Sequence, residues 1–295
     1  MKNISNPIPT RIKGFTLVEL LTMLAISAVL SGLVPGMLSG PKNSTYASVD
    51  LDNGRQIMAA TAIYANENGD TIPYPGWGLS GLSGWAYTTS ANSFTTNVSP
   101  FSRIPDGAGN DKAPGVPDSA YQRQLPYFYG GQLGPILRNP KTLMCSKDLA
   151  EISGVKRSSW AGRSVKLTSY CWNVYTIDVG QRQVPHKISA FRPVDILGWE
   201  ASEADSFNFN DSSNQPYEGL SQRHGESIFV RGGGNKDFGG SGLVFRFDGS
   251  SSHLAWRRFV AMAGGVGAPG AVPQDIVVIP PTAPDNCLYI GPGFH

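Results

Sequence analysis

The chain has 295 residues, of which 24 are Lys or Arg and 22 are Asp or Glu, so its formal net charge is only +2. A charge this close to zero gives no basis for general nucleic-acid binding, which depends on a clear excess of positive charge. Charged residues make up 16% of the chain, while 35 Gly and 22 Pro predict many turns and few long helices. The length suits one N-terminal anchor followed by one large or two small domains.

The first predicted element is an apolar helix at residues 15–38, and its only charged residue is Glu19. Its length meets the roughly 20 residues that a helix needs to span a bilayer. Residues 1–14 contain three basic residues and no acid, so the positive-inside rule keeps this leader in the cytoplasm. A carboxylate inside such a span costs about 3 kcal/mol and marks a functional position. This segment fits an ordinary signal peptide less well, because signal peptides have no acidic residue in their apolar region.

Residues 13–20 read KGFTLVEL and open this apolar run. Together with the basic leader, the octapeptide resembles the cleavage and methylation signature of type IV prepilins and type II secretion pseudopilins. The resemblance implies that a prepilin peptidase cuts between Gly14 and Phe15 and methylates the new amino group of Phe15. It also implies that Glu19 pairs with the Phe15 ammonium of a neighbouring subunit in a low-dielectric filament core, and so sets the assembly register.

A chain of this kind would be a structural subunit of a type II secretion pseudopilus or a type IV pilus-like filament. The resemblance implies three partners: the prepilin peptidase, other pilin or pseudopilin subunits, and an inner-membrane assembly platform. It implies a single-pass protein of the bacterial inner membrane with a cytoplasmic N-terminus and a periplasmic headgroup, which then enters the filament. The alternative is a membrane-anchored protein that never polymerises and whose headgroup binds polysaccharide or peptide.

A second helix is predicted at residues 44–68, where one face recurs at three- and four-residue spacing and would pack on a sheet. That face consists of Val49, Asn53, Ile57, Ala60 and Tyr64. Residues 53–73 are similar to the segment that follows the anchor in large pseudopilin-like proteins of planctomycetes and related bacteria. The motifs Arg55-Gln56-Ile57 and Tyr64-Ala65-Asn66 carry that likeness.

Four strands are predicted further along, because aromatic and β-branched residues are concentrated in four short runs. These runs are residues 169–178, 195–201, 242–247 and 252–257. The last two flank Asp248-Gly249, a strong hairpin turn pair, so the sheet is expected to be antiparallel. The Gly- and Pro-rich tail at residues 264–295 is expected to wrap the surface.

The predicted fold class is α+β and pilin-like. A long N-terminal helix, transmembrane in its first half, would pack by its second half on an antiparallel β-sheet headgroup with long loops. The predicted regions are a cytoplasmic leader at 1–14, a transmembrane and assembly helix at 15–38, its continuation at 39–73, and a periplasmic headgroup at 74–295 with variable loops at 74–140 and a hairpin region at 221–258.

Two short motifs, Arg223-His224-Gly225 and the FRFDG that ends at Gly249, are similar to the two ends of the H-x9-DG domain of those same proteins. Twenty-three residues separate His224 from Asp248 here, so the geometry of the standard spacing does not transfer. A catalytic or metal site needs a third converging group, and none is evident from sequence. We therefore expect Asp248 and Gly249 to serve the turn and His224 to make a structural hydrogen bond.

Three cysteines, Cys145, Cys171 and Cys287, are compatible with an oxidising periplasm, where one disulfide can form. Cys145 with Cys171 is the preferred pair, and the open alternative is that all three are small buried side chains. No close Cys and His spacing predicts a zinc site, and no enzyme signature is present. The sequence therefore predicts no catalytic residue, no bound metal and no cofactor.

Calcium is the one cofactor that stays open, because some major pseudopilins bind it near the C-terminus. Calcium takes hard oxygen ligands. A polar loop offers such oxygens at Asp205, Asn208, Asn210 and Asp211. The alternative is a solvated turn cluster, in which the same side chains cap local backbone amides.

Overall fold

The computed structural model describes residues 17, 42–77, 83–89, 104–152, 157–177, 184–224, 239–263, 287–288 and 290. The predicted leader, the predicted membrane span and the site residues Gly14, Phe15 and Glu19 lie outside these residues. Among the residues that are described, no helix has both the length and the apolar character that a bilayer crossing requires. The chain divides into two compact units, Met1–Ser44 and Thr45–His295.

The described helices and strands are as follows. The helices are α1 (Lys42–Glu67), α2 (Ala120–Tyr129), α3 (Gly134–Leu137), α4 (Ser146–Glu151), α5 (Arg157–Gly162) and α6 (Trp256–Ala263). The strands are β1 (Tyr170–Asn173), β2 (Ile196–Glu200), β3 (Ser213–Asn214), β4 (Ser241–Arg246) and β5 (Ser251–Ala255). Short 3-10 helices lie at Pro140–Leu143, Val174–Thr176, Ile188–Ala190, Ser206–Phe209 and Pro216–Glu218.

The strands form one five-stranded sheet in the order β3-β1-β2-β4-β5. Three pairings are antiparallel, whereas β3 lies parallel to β1 at the edge. The prediction of an α+β protein is confirmed, but the prediction of a wholly antiparallel sheet is wrong at this edge. β3 lies on the other side of β1 from β2 and runs antiparallel to β2, so it is parallel to β1.

The predicted hairpin between β4 and β5 is confirmed. Gly249 adopts φ 83°, a left-handed conformation that favours glycine. Asp248 closes the turn through Oδ1, which accepts a hydrogen bond of 2.8 Å from the amide of Ser250. β5 ends at Ala255, two residues before the predicted end, because Trp256 begins α6.

Helix α1 packs against this hairpin and agrees with the predicted helix to within two residues. A Cβ added at Gly54 would lie 2.8 Å from Ser251 Oγ and 3.2 Å from Leu243 Cδ2. The absence of a side chain at this position therefore permits the close approach of helix and sheet. The predicted inner face is wrong at its start, because Val49 is 44% exposed while its neighbour Asp50 is fully buried.

Alternating side chains of the sheet supply two apolar clusters, one on each face. One cluster contains Tyr170, Trp172 and Ile57 of α1, and the other contains Cys171 and Phe259 of α6. The sheet is thus covered on both faces. On the first face, Trp172 stacks on Trp85 with ring centroids 4.9 Å apart.

Two regions that were predicted as loops or as a surface tail contain a helix or buried core residues. Residues 74–140 contain α2, which begins after the N-cap Ser119 and has Pro126 in its interior. The tail, predicted to wrap the surface, places Leu288 and Ile290 in the core with no exposed area. The carbonyl of Leu288 accepts a 2.7 Å hydrogen bond from Asn173 Nδ2, so this part of the tail is bound to β1.

Candidate functional site

Four ionisable side chains from four separate parts of the chain converge at one buried point. Asp50 lies on α1, Cys145 is the N-cap of α4, and Glu200 is the last residue of β2. His224 pairs with Ser241, the first residue of β4, through an isolated antiparallel bridge. One donor atom from each residue lies within 4.8 Å of the other three. We refer to these residues as the four-residue cluster.

The contacts inside the four-residue cluster are short. His224 Nε2 lies 2.7 Å from Asp50 Oδ2 and 3.3 Å from Glu200 Oε2. Cys145 Sγ donates to Asp50 Oδ2 at 3.0 Å and lies 3.5 Å from His224 Nε2. Three of the residues have no exposed area, and His224 is 3% exposed. The cluster is therefore closed to bulk solvent.

The second oxygen of each carboxylate is held by residues around the cluster. Asp50 Oδ1 accepts hydrogen bonds from the Ser146 amide at 3.1 Å and from Tyr170 Oη at 3.3 Å. Glu200 Oε1 accepts from Arg223 Nη1 at 3.1 Å. These bonds fix the carboxylate planes, so that Asp50 Oδ2 and Glu200 Oε2 are directed at His224 Nε2.

A second layer of buried charge surrounds Asp148 on α4. Arg163 binds its two carboxylate oxygens at 2.8 and 2.9 Å, and Arg223 Nη2 lies 3.0 Å from Oδ1. Ser169 Oγ donates a further hydrogen bond of 2.7 Å to Oδ2. Arg223 thus joins Asp148 to Glu200. Buried charges are tolerated only when they are paired and hydrogen-bonded in this way.

The electrostatics of the cluster favour the protonated forms of His224 and of the Cys145 thiol. Burial lowers the pKa of His224, but hydrogen bonds to Asp50 and Glu200 outweigh burial and raise the pKa to about 9. Burial raises the pKa of Glu200, yet His224 and Arg223 bring it down to about 2. Burial, with Glu200 and Asp50 nearby, raises the pKa of the Cys145 thiol well above its ordinary value.

This environment does not activate a cysteine nucleophile. Reactive cysteines have lowered pKa values and partial exposure, whereas Cys145 has a raised pKa and no exposed area. The arrangement can share protons among its members or hold a cation. The cluster presents no exposed atom that could attack a substrate.

The structure separates the two residues of the predicted H-DG pair. Asp248 serves the hairpin turn, as predicted, at the opposite end of β4 from His224. His224 makes structural hydrogen bonds, also as predicted, but to Asp50 and Glu200. Further groups that were not evident from sequence, Asp50, Cys145 and Glu200, do converge on His224. The burial of Asp50 could have been predicted from the sequence, since Asp50 lies three residues before Asn53 and therefore on the same, buried side of α1.

The predicted disulfide between Cys145 and Cys171 is wrong, because both residues are free thiols, as is Cys287. Cys145 belongs to the cluster, whereas Cys171 Sγ contacts the carbonyl of Trp199 at 3.4 Å. Cys171 alternates with Tyr170 and Trp172 along β1 and therefore faces the opposite side of the sheet. The alternative of buried thiols describes Cys145 and Cys171, while Cys287 is partly exposed.

The four candidate calcium ligands act in local turns. Asp205 Oδ1 accepts from the Phe207 amide at 2.7 Å, and Asp211 Oδ1 accepts from the Ser213 amide at 2.9 Å. Asn208 Nδ2 donates to the carbonyl of Ser202 at 2.9 Å. Asn210 follows as the C-cap of the same 3-10 helix. Within the described part of the chain, the His, Cys and carboxylate side chains that lie close enough together to hold an ion are those of the four-residue cluster.

A pH dependence of stability is expected near this turn from Glu218, whose side chain accepts a hydrogen bond from the Gln215 amide. Burial raises the pKa of Glu218, the Gln215 amide opposes this, Asp211 adds to it, and the result is about 7 against 4.5. Because the folded state binds this proton more tightly, the associated stability is present below pH 4.5 and is lost as the pH rises through 7.

Glu218→Gln keeps an acceptor and removes the charge. It is expected to increase the free energy of unfolding by about 2 kcal/mol at about pH 8, and by little at about pH 4.5. Urea unfolding at both pH values measures the difference. An equal effect of the substitution at the two pH values would contradict the assignment.

Comparison with known proteins adds no relative. No family model, no curated protein and no solved structure matches the chain.

Proposed function

We propose that the protein is a pilin-like structural subunit of a type II secretion pseudopilus or a type IV pilus-like filament. The observation that carries the proposal is the octapeptide KGFTLVEL at residues 13–20, between a basic leader and an apolar run of spanning length. Residue identities, spacing and both flanks agree with the prepilin signature. A plain membrane anchor would require neither Gly14-Phe15 nor a carboxylate at Glu19.

In this proposal, Gly14 serves processing, Glu19 serves assembly, and Phe15 takes part in both. Gly14 has no Cβ, so the backbone can lie in the narrow cleft of a peptidase. Cleavage after Gly14 exposes the amino group of Phe15, which the same enzyme methylates. In the filament, Glu19 pairs with the Phe15 ammonium of the next subunit, and this attraction is strong in a low-dielectric core. An unpaired Glu19 penalises other registers.

The headgroup supports a structural role. Helix α1 is held by close packing at Gly54 and by polar contacts such as Asn53 Nδ2, which donates to the carbonyl of Met144 at 3.1 Å. A firmly held helix is what a subunit needs if its headgroup is to bear load through an N-terminal segment. The enclosure of Cys145 and His224 also favours a structural protein over an enzyme.

The experiment is to express Glu19→Ala in the native host and to measure incorporation into filaments. Glu67→Ala is the control, because it removes the same side chain at the exposed end of α1. We expect Glu19→Ala to be processed and to reach the membrane, yet to lose at least about 90% of its incorporation, since the compensating ion pair is absent. The control is expected to assemble normally.

Normal assembly of Glu19→Ala would overturn the proposal. The result would then favour the anchored, non-polymerising binding protein, for which Glu19 has no role. Binding of polysaccharide or peptide by residues 42–295 alone would also favour this alternative.

A further inference from the structure

The geometry points to a metal site: we propose that Asp50, Cys145, Glu200 and His224 bind one divalent transition-metal ion of the zinc class. This inference is independent of the proposed filament function, because it concerns only the described part of the chain. The bound ion would have a structural role. It would join α1, the start of α4, the end of β2 and the segment that precedes β4.

The set of donor atoms determines the class of metal. It consists of one imidazole nitrogen, one sulfur and two carboxylate oxygens. Nitrogen and sulfur donors in a four-ligand site are typical of zinc, and imidazole with thiolate also suits cobalt as a probe. Calcium and magnesium prefer sets made of oxygen alone, so the sulfur and nitrogen exclude them as the preferred ions.

The distances between donor atoms are close to those of a tetrahedral site. Zinc bonds of about 2.0–2.3 Å place neighbouring ligand atoms about 3.3–3.7 Å apart. Cys145 Sγ to His224 Nε2 is 3.5 Å, and His224 Nε2 to Glu200 Oε2 is 3.3 Å. Asp50 Oδ2 is closer, at 2.7 Å from His224 and 3.0 Å from Cys145. The two remaining pairs, from Glu200 to Cys145 and to Asp50, lie within 4.8 Å, so binding of an ion requires an outward movement of Asp50 Oδ2 by about 0.5 Å and adjustment of the other side chains to the same bond lengths.

The residues around the two carboxylates have the form of an outer ligand shell, whereas His224 Nδ1 has no hydrogen-bond partner among the described residues. Metal-binding carboxylates are usually oriented by hydrogen bonds to their second oxygen. Asp50 Oδ1 is held by the Ser146 amide and Tyr170 Oη, and Glu200 Oε1 is held by Arg223. Both remaining oxygens are thereby presented to the centre. With four protein ligands and almost no exposure, the site is closed, which is characteristic of structural rather than catalytic zinc.

Charge and protons balance when the metal enters. Ligands bind a metal as thiolate and as neutral imidazole, so the Cys145 thiol proton and the proton that His224 Nε2 directs at the carboxylates leave their atoms when the ion enters, and protons pass to solvent. The doubly charged cation compensates for their loss. Arg223 lies 3.1 Å from Glu200 Oε1, whereas the oxygen that faces His224 is Oε2, so binding of an ion at Oε2 does not require this ion pair to break.

The site also explains why these four residues are brought together. Cys145 lies 95 positions from Asp50 and 79 positions from His224. A metal that links such distant positions stabilises the folded state, because the unfolded chain has no preformed site. A bound ion therefore acts as a cross-link between the helix α1 and the sheet.

The experiment uses the full chain, purified in detergent, stripped with a chelator and titrated with Zn²⁺ alone. We expect one Zn²⁺ per chain and a rise of about 5 °C or more in the unfolding temperature, reversed by chelator. Titration with Co²⁺ is expected to produce a thiolate-to-cobalt charge-transfer band in the near ultraviolet. Cys145→Ser should abolish this band and weaken metal binding at least about 100-fold.

Cys171→Ser is the matched control, because Cys171 is an equally buried thiol outside the cluster. It should keep the band and the stoichiometry. If Cys145→Ser does not fold, Asp50→Asn, of the same shape, serves as the second ligand variant and should also weaken binding. Failure of the wild-type chain to bind Zn²⁺ at one per chain, or a band that persists in Cys145→Ser, would overturn the proposal.

Discussion

Replacement of Arg223 by Leu is expected to lower the free energy of unfolding by about 3–5 kcal/mol. Arg223 is 2% exposed and lies 3.0 Å from Asp148 Oδ1 and 3.1 Å from Glu200 Oε1. Its removal leaves Glu200 Oε1 buried without this cation, and it leaves Asp148 with Arg163 and Ser169 as partners. Uncompensated buried charge is among the most destabilising results of a single substitution. Urea unfolding of the full chain measures the loss.

Arg55→Leu is the matched control for this prediction, because Arg55 is exposed on α1. We expect its effect to stay within about 0.5 kcal/mol, as for most surface substitutions. Arg223→Lys should lie between the two, since lysine keeps the charge but not the two-armed geometry of the guanidinium. Equal stability of Arg223→Leu and Arg55→Leu would show that the buried network contributes little.

Gly198→Ala is the second substitution with a large expected effect, a loss of about 3 kcal/mol. Gly198 lies in β2 opposite Trp172. A Cβ at this position would lie 2.5 Å from the carbonyl oxygen of Cys171 and 2.8 Å from Trp172 Cδ1. Because the nearest atom belongs to the backbone of the adjacent strand, β1 would have to move. That movement would disturb the stack of Trp172 on Trp85 as well as the position of Glu200.

Gly54→Ala is the informative comparison, because its new Cβ would meet only the side chains of Ser251 and Leu243. Ser251 Oγ and Leu243 Cδ2 can rotate away, whereas Ser251 Cβ, at 2.9 Å, requires a small shift of β5. Alanine favours helix over glycine by about 1 kcal/mol, which offsets the cost of that shift. We expect a change of less than about 1 kcal/mol, measured as the shift in urea midpoint. A loss at Gly54 as large as that at Gly198 would contradict the distinction between side-chain and backbone contacts.

The features that sequence predicted well are local ones. The helix at residues 44–68 is observed as Lys42–Glu67, since its buried side repeats with the helical period. The β4–β5 hairpin depends on Asp248-Gly249, two adjacent residues whose conformational preferences are strong. In both cases, residues close in the chain contain all the required information.

The features that sequence missed depend on distant contacts. Strand β3 has only two residues, too few for a pattern, and its pairing with β1 follows from the route of the connection. Helix α2 was hidden by Pro126, which ordinarily argues against a helix interior. The four-residue cluster was missed because its members are scattered along the chain and none forms a motif alone.

Asp50 and Val49 illustrate the same limit within a single helix. Hydrophobicity favours Val49 as the buried residue, yet Val49 is exposed and Asp50 is buried. The carboxylate is buried because His224, Cys145, Ser146 and Tyr170 satisfy its oxygens. All of these partners lie on other elements, so their pairing with Asp50 emerges only in the folded chain.

The most direct test of the account is the N-terminal mass of the mature protein, isolated from cells that contain a prepilin peptidase. If the chain is a pilin-like subunit, the mature protein begins at Phe15 and carries one methyl group on its amino nitrogen. Any other N-terminus, including an intact Met1, would contradict the proposed function.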